Sequence, residues 1–363
     1  MDNRNNRVYF ASANTTQSFR CYFDRIFDPN KLEKIFIVKG GPGTGKSSLM
    51  RQIALLAEDS GFSVERFLCS SDPDSLDGIL IPDLKFAMID GTAPHNVDPI
   101  YPGIVENIIN TVSYCNIADL VCQKSRIISL NREKKRCYGK AYRFLNAAGE
   151  IESEILMGTK DSFLTEKADR FLERLCKKVF IPRNKGFESI RLTESFNRYG
   201  LTVLNSFAED SKTVYLLQDF HYSAYLLLDS LYQKAKTAGQ SFLFSCSCLF
   251  PDHVSSLYFP EQSIAFVVEN DKKYREQWER NGKTVIPVNL KRFVSENYPR
   301  DHKQKLRFAR RCAEMLREGA AESFSDASRA HGELERIYIA SMDFQALNRK
   351  IPDLWQSIQR KTF

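Results

Sequence analysis

The first ninety residues alternate short apolar runs with one amphipathic stretch. Ile35-Phe-Ile-Val38 is a β-branched run of the kind a buried strand requires. From Lys46 to Glu58 the apolar positions recur three and four apart, which predicts a helix, and Gly61 stands where a helix C-terminus favours glycine. Ser63–Cys69 and Lys85–Asp90 predict two further strands, and residues 7–28 a strand or loop feeding a short amphipathic element. Strands alternating with helices predict an α/β fold with a mainly parallel, doubly wound sheet, whose ligands sit at the carboxyl ends of the strands. From Pro102 to Lys178 the pattern turns mainly helical (Ile127, Ile128, Ala141, Tyr142, Leu145), and Val179–Gly186 reads as a connector.

The second half repeats the first. Gly61, Pro73, Asp74, Pro82 and Ala87 face Gly239, Pro251, Asp252, Pro260 and Ala265, each at an offset of 178 (239 − 61 through 265 − 87). The same offset lays Val214–Leu217 on Phe36–Lys39, and Gly149-Glu-Ile-Glu152 matches Gly332-Glu-Leu-Glu335 at 183. Two tandem α/β units with helical insertions follow, 1–185 and 186–363, joined near 180–195.

Between the first strand and its helix, Gly40-Gly-Pro-Gly-Thr-Gly-Lys-Ser47 fits G-x-x-x-x-G-K-[ST], the phosphate-binding loop of P-loop NTPases. Backbone N–H groups of Gly40, Gly41, Pro42 to Gly45 and the helix start at Ser47 and Ser48 would cradle the phosphates, proline contributing shape only. Lys46 would bridge the β- and γ-phosphates of ATP, and the Ser47 hydroxyl would hold Mg²⁺. Asp90 closes an apolar strand 44 residues after Lys46 (90 − 46), where a second magnesium-side oxygen belongs. Gly91 follows it, so the water-activating glutamate of vigorous ATPases is missing from that place. Asp72, in Asp72-Pro-Asp74, stands where a kinase would hold its phosphoryl acceptor, though a capped turn explains it equally well.

At offset 178 the second unit has lost this chemistry. Gly45, Lys46 and Ser47 face Ser223, Ala224 and Tyr225, while Asp72, Asp77, Asp90 and His95 face Phe250, Ser255, Val268 and Lys273. Asp74 keeps its counterpart Asp252, which favours a structural role for it. His95 is readable either as a γ-phosphate sensor or as a loop residue.

Composition narrows the class without deciding it. The chain has 363 residues, 43% hydrophobic, 27% charged, with net charge +7, no membrane-length apolar run and no signal-peptide core in Met1–Arg7. This predicts a cytoplasmic protein that spans no membrane, with no strong argument for nucleic acid. Nine scattered cysteines fit a reducing compartment, and Cys246-Ser-Cys248 reads as strand packing rather than a metal site. Arg132, Arg136, Lys140 and Arg143 share one helix face, either a lid over the phosphate loop or a solvated stripe. Trp278, Tyr338 and Phe344 read as packing residues.

The phosphate loop, Cys69-Ser-Ser-Asp-Pro-Asp-Ser-Leu-Asp-Gly78, Ile81-Pro82, Asp90-Gly-Thr-Ala-Pro-His95 and the ending Glu335–Phe344 together resemble an uncharacterised group of tandem P-loop ATPases of Gram-positive bacteria, mainly Firmicutes, over essentially the whole chain. The resemblance implies ATP binding. Members usually carry a phosphate loop in both halves, and this chain departs by lacking the second. Three functions stay open at this stage: a slow Mg-dependent ATPase switching the geometry of its halves, with a protein partner or second copy; a small-molecule or nucleotide kinase using Asp72; and a non-catalytic nucleotide-binding scaffold.

Overall fold

The structure, a computed structural model, describes residues 7–182 and 185–360; the leader reading of Met1–Asn6 and part of the 179–186 connector lie outside them. The first sheet has six strands: β1 (Arg7–Phe10), β2 (Lys34–Lys39), β3 (Glu65–Leu68), β4 (Leu76–Ile81), β5 (Phe86–Asp90) and β6 (Glu106–Asn110), in the order β1-β3-β4-β5-β2-β6. β2 runs parallel to both β5 and β6, and β1 parallel to β3, but β4 is antiparallel to both its neighbours. The expected sheet is therefore mixed. The sequence pattern missed β4, whose residues are buried on both faces and carry an aspartate and a glycine that read as turn. It also missed β6, which lies inside the stretch read as helical; as an edge strand it buries only Glu106 fully and exposes Ile108, so no period-2 signal survives.

The second sheet repeats this plan with β7 (Glu188–Ile190), β8 (Thr213–Gln218), β9 (Phe242–Cys246), β10 (Val254–Phe259), β11 (Ile264–Val268) and β12 (Thr284–Asn289), ordered β7-β9-β10-β11-β8-β12. Every strand of one sheet has its counterpart six numbers on in the other, with the same sense of pairing. The helices repeat too. α1 (Lys46–Asp59), α2 (Lys124–Asp161) and α3 (Thr165–Val179) correspond to α4 (Ser223–Thr237), α5 (Lys303–Ser341) and α6 (Ile351–Arg360).

The repeats are not two separate bodies. Phe10, ending β1, and Leu192, just past β7, exchange backbone hydrogen bonds of 2.8 and 3.1 Å where the halves meet. The 38-residue α2 and 39-residue α5 pack antiparallel, Leu130 lying against Ala330 and Leu334 at one end and Glu152 paired with Arg317 towards the other. The last helices cross over. Ile351, Trp355 and Ile358 of α6, from the second repeat, join Leu49, Met50 and Ile53 of α1 and Phe36 and Val38 of β2 in one buried cluster. In return α3 packs on α4, with Leu172 fully buried. Burying roughly 1.5–3 kcal/mol of apolar side chain at each such position ties each repeat's stability to the other.

The pairing registers refine the repeat. Lys34 pairs with Phe86 and Thr213 with Ile264, so the offset is 179 along β2 and β8 (213 − 34) but 178 along β5 and β11 (264 − 86). The left-handed residues just before α1 and α4, Gly45 and Tyr222, are 177 apart (222 − 45). The second strand-to-helix loop is therefore two residues shorter, and Lys46 corresponds to Ser223 and Ser47 to Ala224, one position earlier than the constant offset placed them. A single offset cannot absorb a deletion inside the loop it is meant to align.

Candidate functional site

The glycine-rich loop leaves the carboxyl end of β2 and enters α1 through Gly45 at φ +84°, a conformation that costs any other residue strain. Gly43, at φ +70°, also lies so close to α5 that a Cβ there would stand 2.8 Å from the Glu335 carbonyl oxygen. No side chain caps the start of α1, so its first-turn N–H groups remain for an outside acceptor, and the helix dipole favours an anion. Thr44 Oγ1 donates to Gly41 O at 2.8 Å and is itself held by Thr111 Oγ1 at 2.8 Å, fixing the loop from within.

Lys46 Nζ donates to Gly40 O at 3.1 Å and Gly41 O at 2.8 Å and lies 3.6 Å from Asp90 Oδ2. The other carboxylate oxygen of Asp90 accepts from Thr92 N at 2.8 Å and from the Thr92 hydroxyl, which fixes the acid at the end of β5. Ser47 Oγ accepts from Leu76 N at 3.0 Å. These groups open on a cleft of about 450 Å³ that Pro42, Ser48, Asp72 and Asp77 also line, within the roughly 300–1,000 Å³ of small-ligand sites. Ser47 and Asp90 form a hydroxyl–carboxylate oxygen set of the kind Mg²⁺ takes when phosphates and water complete its shell. No cluster of three or more His, Cys, Asp or Glu able to hold a metal occurs among the described residues, so the protein oxygens fit such an ion only together with phosphate.

The second repeat reaches into this cleft. His331, Glu335 and Ile339 of α5 line it together with Asn131 and Lys134 of α2 and with Phe344, while the Tyr338 ring packs against Gly41. Burial raises the Glu335 carboxyl, with Asp72 adding to the rise and Lys46 and Lys134 opposing it. Burial lowers Lys134, and Lys46 lowers it further. Burial and the same two lysines push His331 down to about 4. Arg198, on the β-hairpin that spans 194–203, sits 3.1 Å from carboxylate oxygens of both Asp72 and Asp74. Asp72 is thus tied across the repeats.

Asp77 faces the cleft, but His95 stands behind it, its Nε2 3.1 Å from Asp77 Oδ2 and its ring stacked on Phe23 at 4.3 Å. Burial works against the imidazolium, yet the Asp77 carboxylate outweighs it and holds His95 up at about 10. A raised folded pKa stabilises the fold below the unfolded value near 6.5 and loses that contribution as pH rises through about 10. Unfolding free energy should therefore fall by on the order of 1 kcal/mol or more between pH 7 and 10. Denaturant titrations of the protein and of His95→Gln check this: the variant should lack the slope, and equal slopes would refute the pair.

Arg132, Arg136, Lys140 and Arg143 lie on the exposed face of α2 and line no part of this cleft; Lys134, close to the opposite side of the helix, lines it instead. Cys246 ends β9, and buried Cys248 donates its thiol to Glu194 O at 2.9 Å. Trp278 is buried beside Val214 and Leu216.

Lys134, Arg198, His331 and Glu335 went without roles in the sequence reading. For Glu335 a signal existed: its repeat partner Glu152 hydrogen-bonds Tyr222 at the second loop, 3.2 Å away, so the pair marks the position where each long helix meets the other repeat's loop. Arg198 left no trace. No family model, curated protein or solved structure matches this chain.

Proposed function

We propose that the first repeat binds Mg-ATP at Gly40–Ser48 and hydrolyses it slowly, and that nucleotide state sets the geometry between the two repeats. The observation that carries this is an uncapped helix start behind a glycine loop, with Lys46 and Asp90 3.6 Å apart and α5 of the other repeat lying on the loop. Lys46 would neutralise phosphate charge, and Ser47 and Asp90 would hold a magnesium ion, which would supply further positive charge at the phosphates. Glu335, raised by burial and lining the cleft, supplies the acid that Gly91 does not, orienting water towards the γ-phosphate. Because Glu335 belongs to α5, any movement of α5 against the loop couples hydrolysis to the arrangement of the halves.

Glu335→Gln should lower phosphate release by about 10²–10⁴-fold while changing ATP affinity by less than about threefold, as loss of a general base does. Steady-state turnover and nucleotide titration of the two proteins decide it, and unchanged turnover would remove Glu335 from the mechanism. The kinase reading has less support, since the Asp72 carboxylate it needs is paired with Arg198. A phosphorylated product formed from a metabolite mixture would restore it. Absence of any turnover beside tight binding would leave the scaffold.

A further inference from the structure

The second repeat's loop carries its own anion. Asp219 takes hydrogen bonds from Tyr222 N and Ala224 N, both 2.9 Å, at the start of α4, where the first repeat leaves its helix start uncapped. A phosphate cannot use those amides. Yet beside this loop lies a cleft of about 930 Å³, twice the size of the nucleotide cleft, formed by residues 220–221, 291–300 and the first turns of α5. Its rim holds Lys291, Arg300, Lys303, Arg307, Arg310 and Arg311 against two acids, Glu296 and Glu314. Phe220, Val294 and Leu306 give it an apolar wall.

Two observations make this more than a solvated basic face. Lys303, Arg307 and Arg311 follow one another at four-residue steps, a like-charged stripe that costs helix stability unless an anion offsets it. Among the described residues, none of Lys303, Arg307, Arg310 or Arg311 has a carboxylate within 4.0 Å; Arg310 instead touches His221 Nδ1 at 3.1 Å. Its arginines offer guanidinium forks, which bind phosphate oxygens in pairs.

We propose that this cleft binds a small organic molecule bearing two or more phosphate groups, its phosphates held by Lys303, Arg307, Arg310 and Arg311 and its organic part against Phe220 and Leu306. The site is separate from Gly40–Ser48. Because α5 continues from Arg311 to Glu335, an occupant at one end of the helix stiffens the element that closes the other.

The test uses the full chain carrying Lys46→Ala, which removes the first cleft's contribution, and inorganic tripolyphosphate as probe in isothermal titration. One saturable site per chain is expected. Arg307→Glu with Arg311→Glu should weaken it at least about tenfold for each lost charge-assisted contact. Lys140→Glu with Arg143→Glu, the same charge change on the exposed face of α2, should leave it within about twofold. Both pairs are exposed, and circular dichroism confirms folding; should the glutamate pair misfold, Arg307→Gln with Arg311→Gln takes its place. No saturable binding, or equal weakening by the two control charge changes, overturns the proposal. A single-stranded oligonucleotide that binds where tripolyphosphate does not also overturns it, in favour of a nucleic-acid surface.

Discussion

Under the proposed function, Lys46→Ala is expected to abolish measurable ATP turnover and to weaken ATP binding by about tenfold to several hundredfold. The amine is the cleft's central cation, 3.6 Å from Asp90 and directed at the loop by Gly40 O and Gly41 O. Its contacts to phosphate are hydrogen bonds to a charged partner, each worth about 1.5–3 kcal/mol. The alanine variant keeps its fold, because Lys46 stands at the start of α1 and its side chain packs no core cluster. Nucleotide titration and phosphate release on both proteins check the result. An affinity and a rate equal to those of the parent protein would remove the assignment of the loop.

Trp355→Ala should destabilise the whole chain by about 3–5 kcal/mol, the range for deleting a large buried aromatic. Trp355 is 8% exposed and sits against Phe62, with its ring centroid 6.4 Å away, in the cluster that also holds Phe36 and Val38 below the phosphate loop. The residue comes from the second repeat and supports the first, so under the proposed function its loss should also lower ATP affinity, through a loosened β2 and α1. A fragment ending at residue 185 loses α5 and α6 together and leaves that face of the first sheet uncovered. Such a fragment is expected to be insoluble or molten rather than a small ATP-binding domain. Chemical denaturation of Trp355→Ala gives the magnitude, and a loss below about 1 kcal/mol would mean that α6 is not part of the first repeat's core.

These two expectations rest on different parts of the chain. The glycine-rich loop's geometry is legible in the sequence because it is local: Gly43, Gly45, Lys46 and Ser47 fall within eight residues between β2 and α1. Asp90 reads because it ends an apolar strand, and the structure sets that strand directly beside β2. The repeat reads because two copies of one sheet order keep the same turn residues. The crossing of α3 and α6 did not read, since an amphipathic helix states that it has a buried face and not which sheet buries it. Arg198 and Glu335 did not receive roles for the same reason: each reaches the first cleft from the second repeat, at sequence distances of 126 (198 − 72) and 289 (335 − 46) that no local pattern spans. β6 was lost because an edge strand with one exposed face and two adjacent isoleucines carries no period. The shortened second loop was misaligned by one residue, and its own remedy, Asp219 capping α4, became visible only as hydrogen bonds.

That capping gives the account its sharpest contrast. In one repeat the helix start awaits an acceptor; in the other a carboxylate has taken it, raised by burial and lowered again by the backbone amides around it. The two long helices then bring each repeat's glutamate to the other's loop, with Glu152 locked to Arg317 and Tyr222 and Glu335 facing Lys46 and Lys134. Along the described chain no helix is long and apolar enough to cross a membrane.

Amide hydrogen exchange of the full chain with and without Mg-ATP tests the central claim most directly. The account predicts slowed exchange at residues 40–48, at 88–92 and along 331–339 of α5, with the capped start of α4 at residues 223–225 unchanged. Unaltered exchange at 40–48, or protection at 223–225 equal to it, would contradict a phosphate-loop ATP site confined to the first repeat and covered by the second.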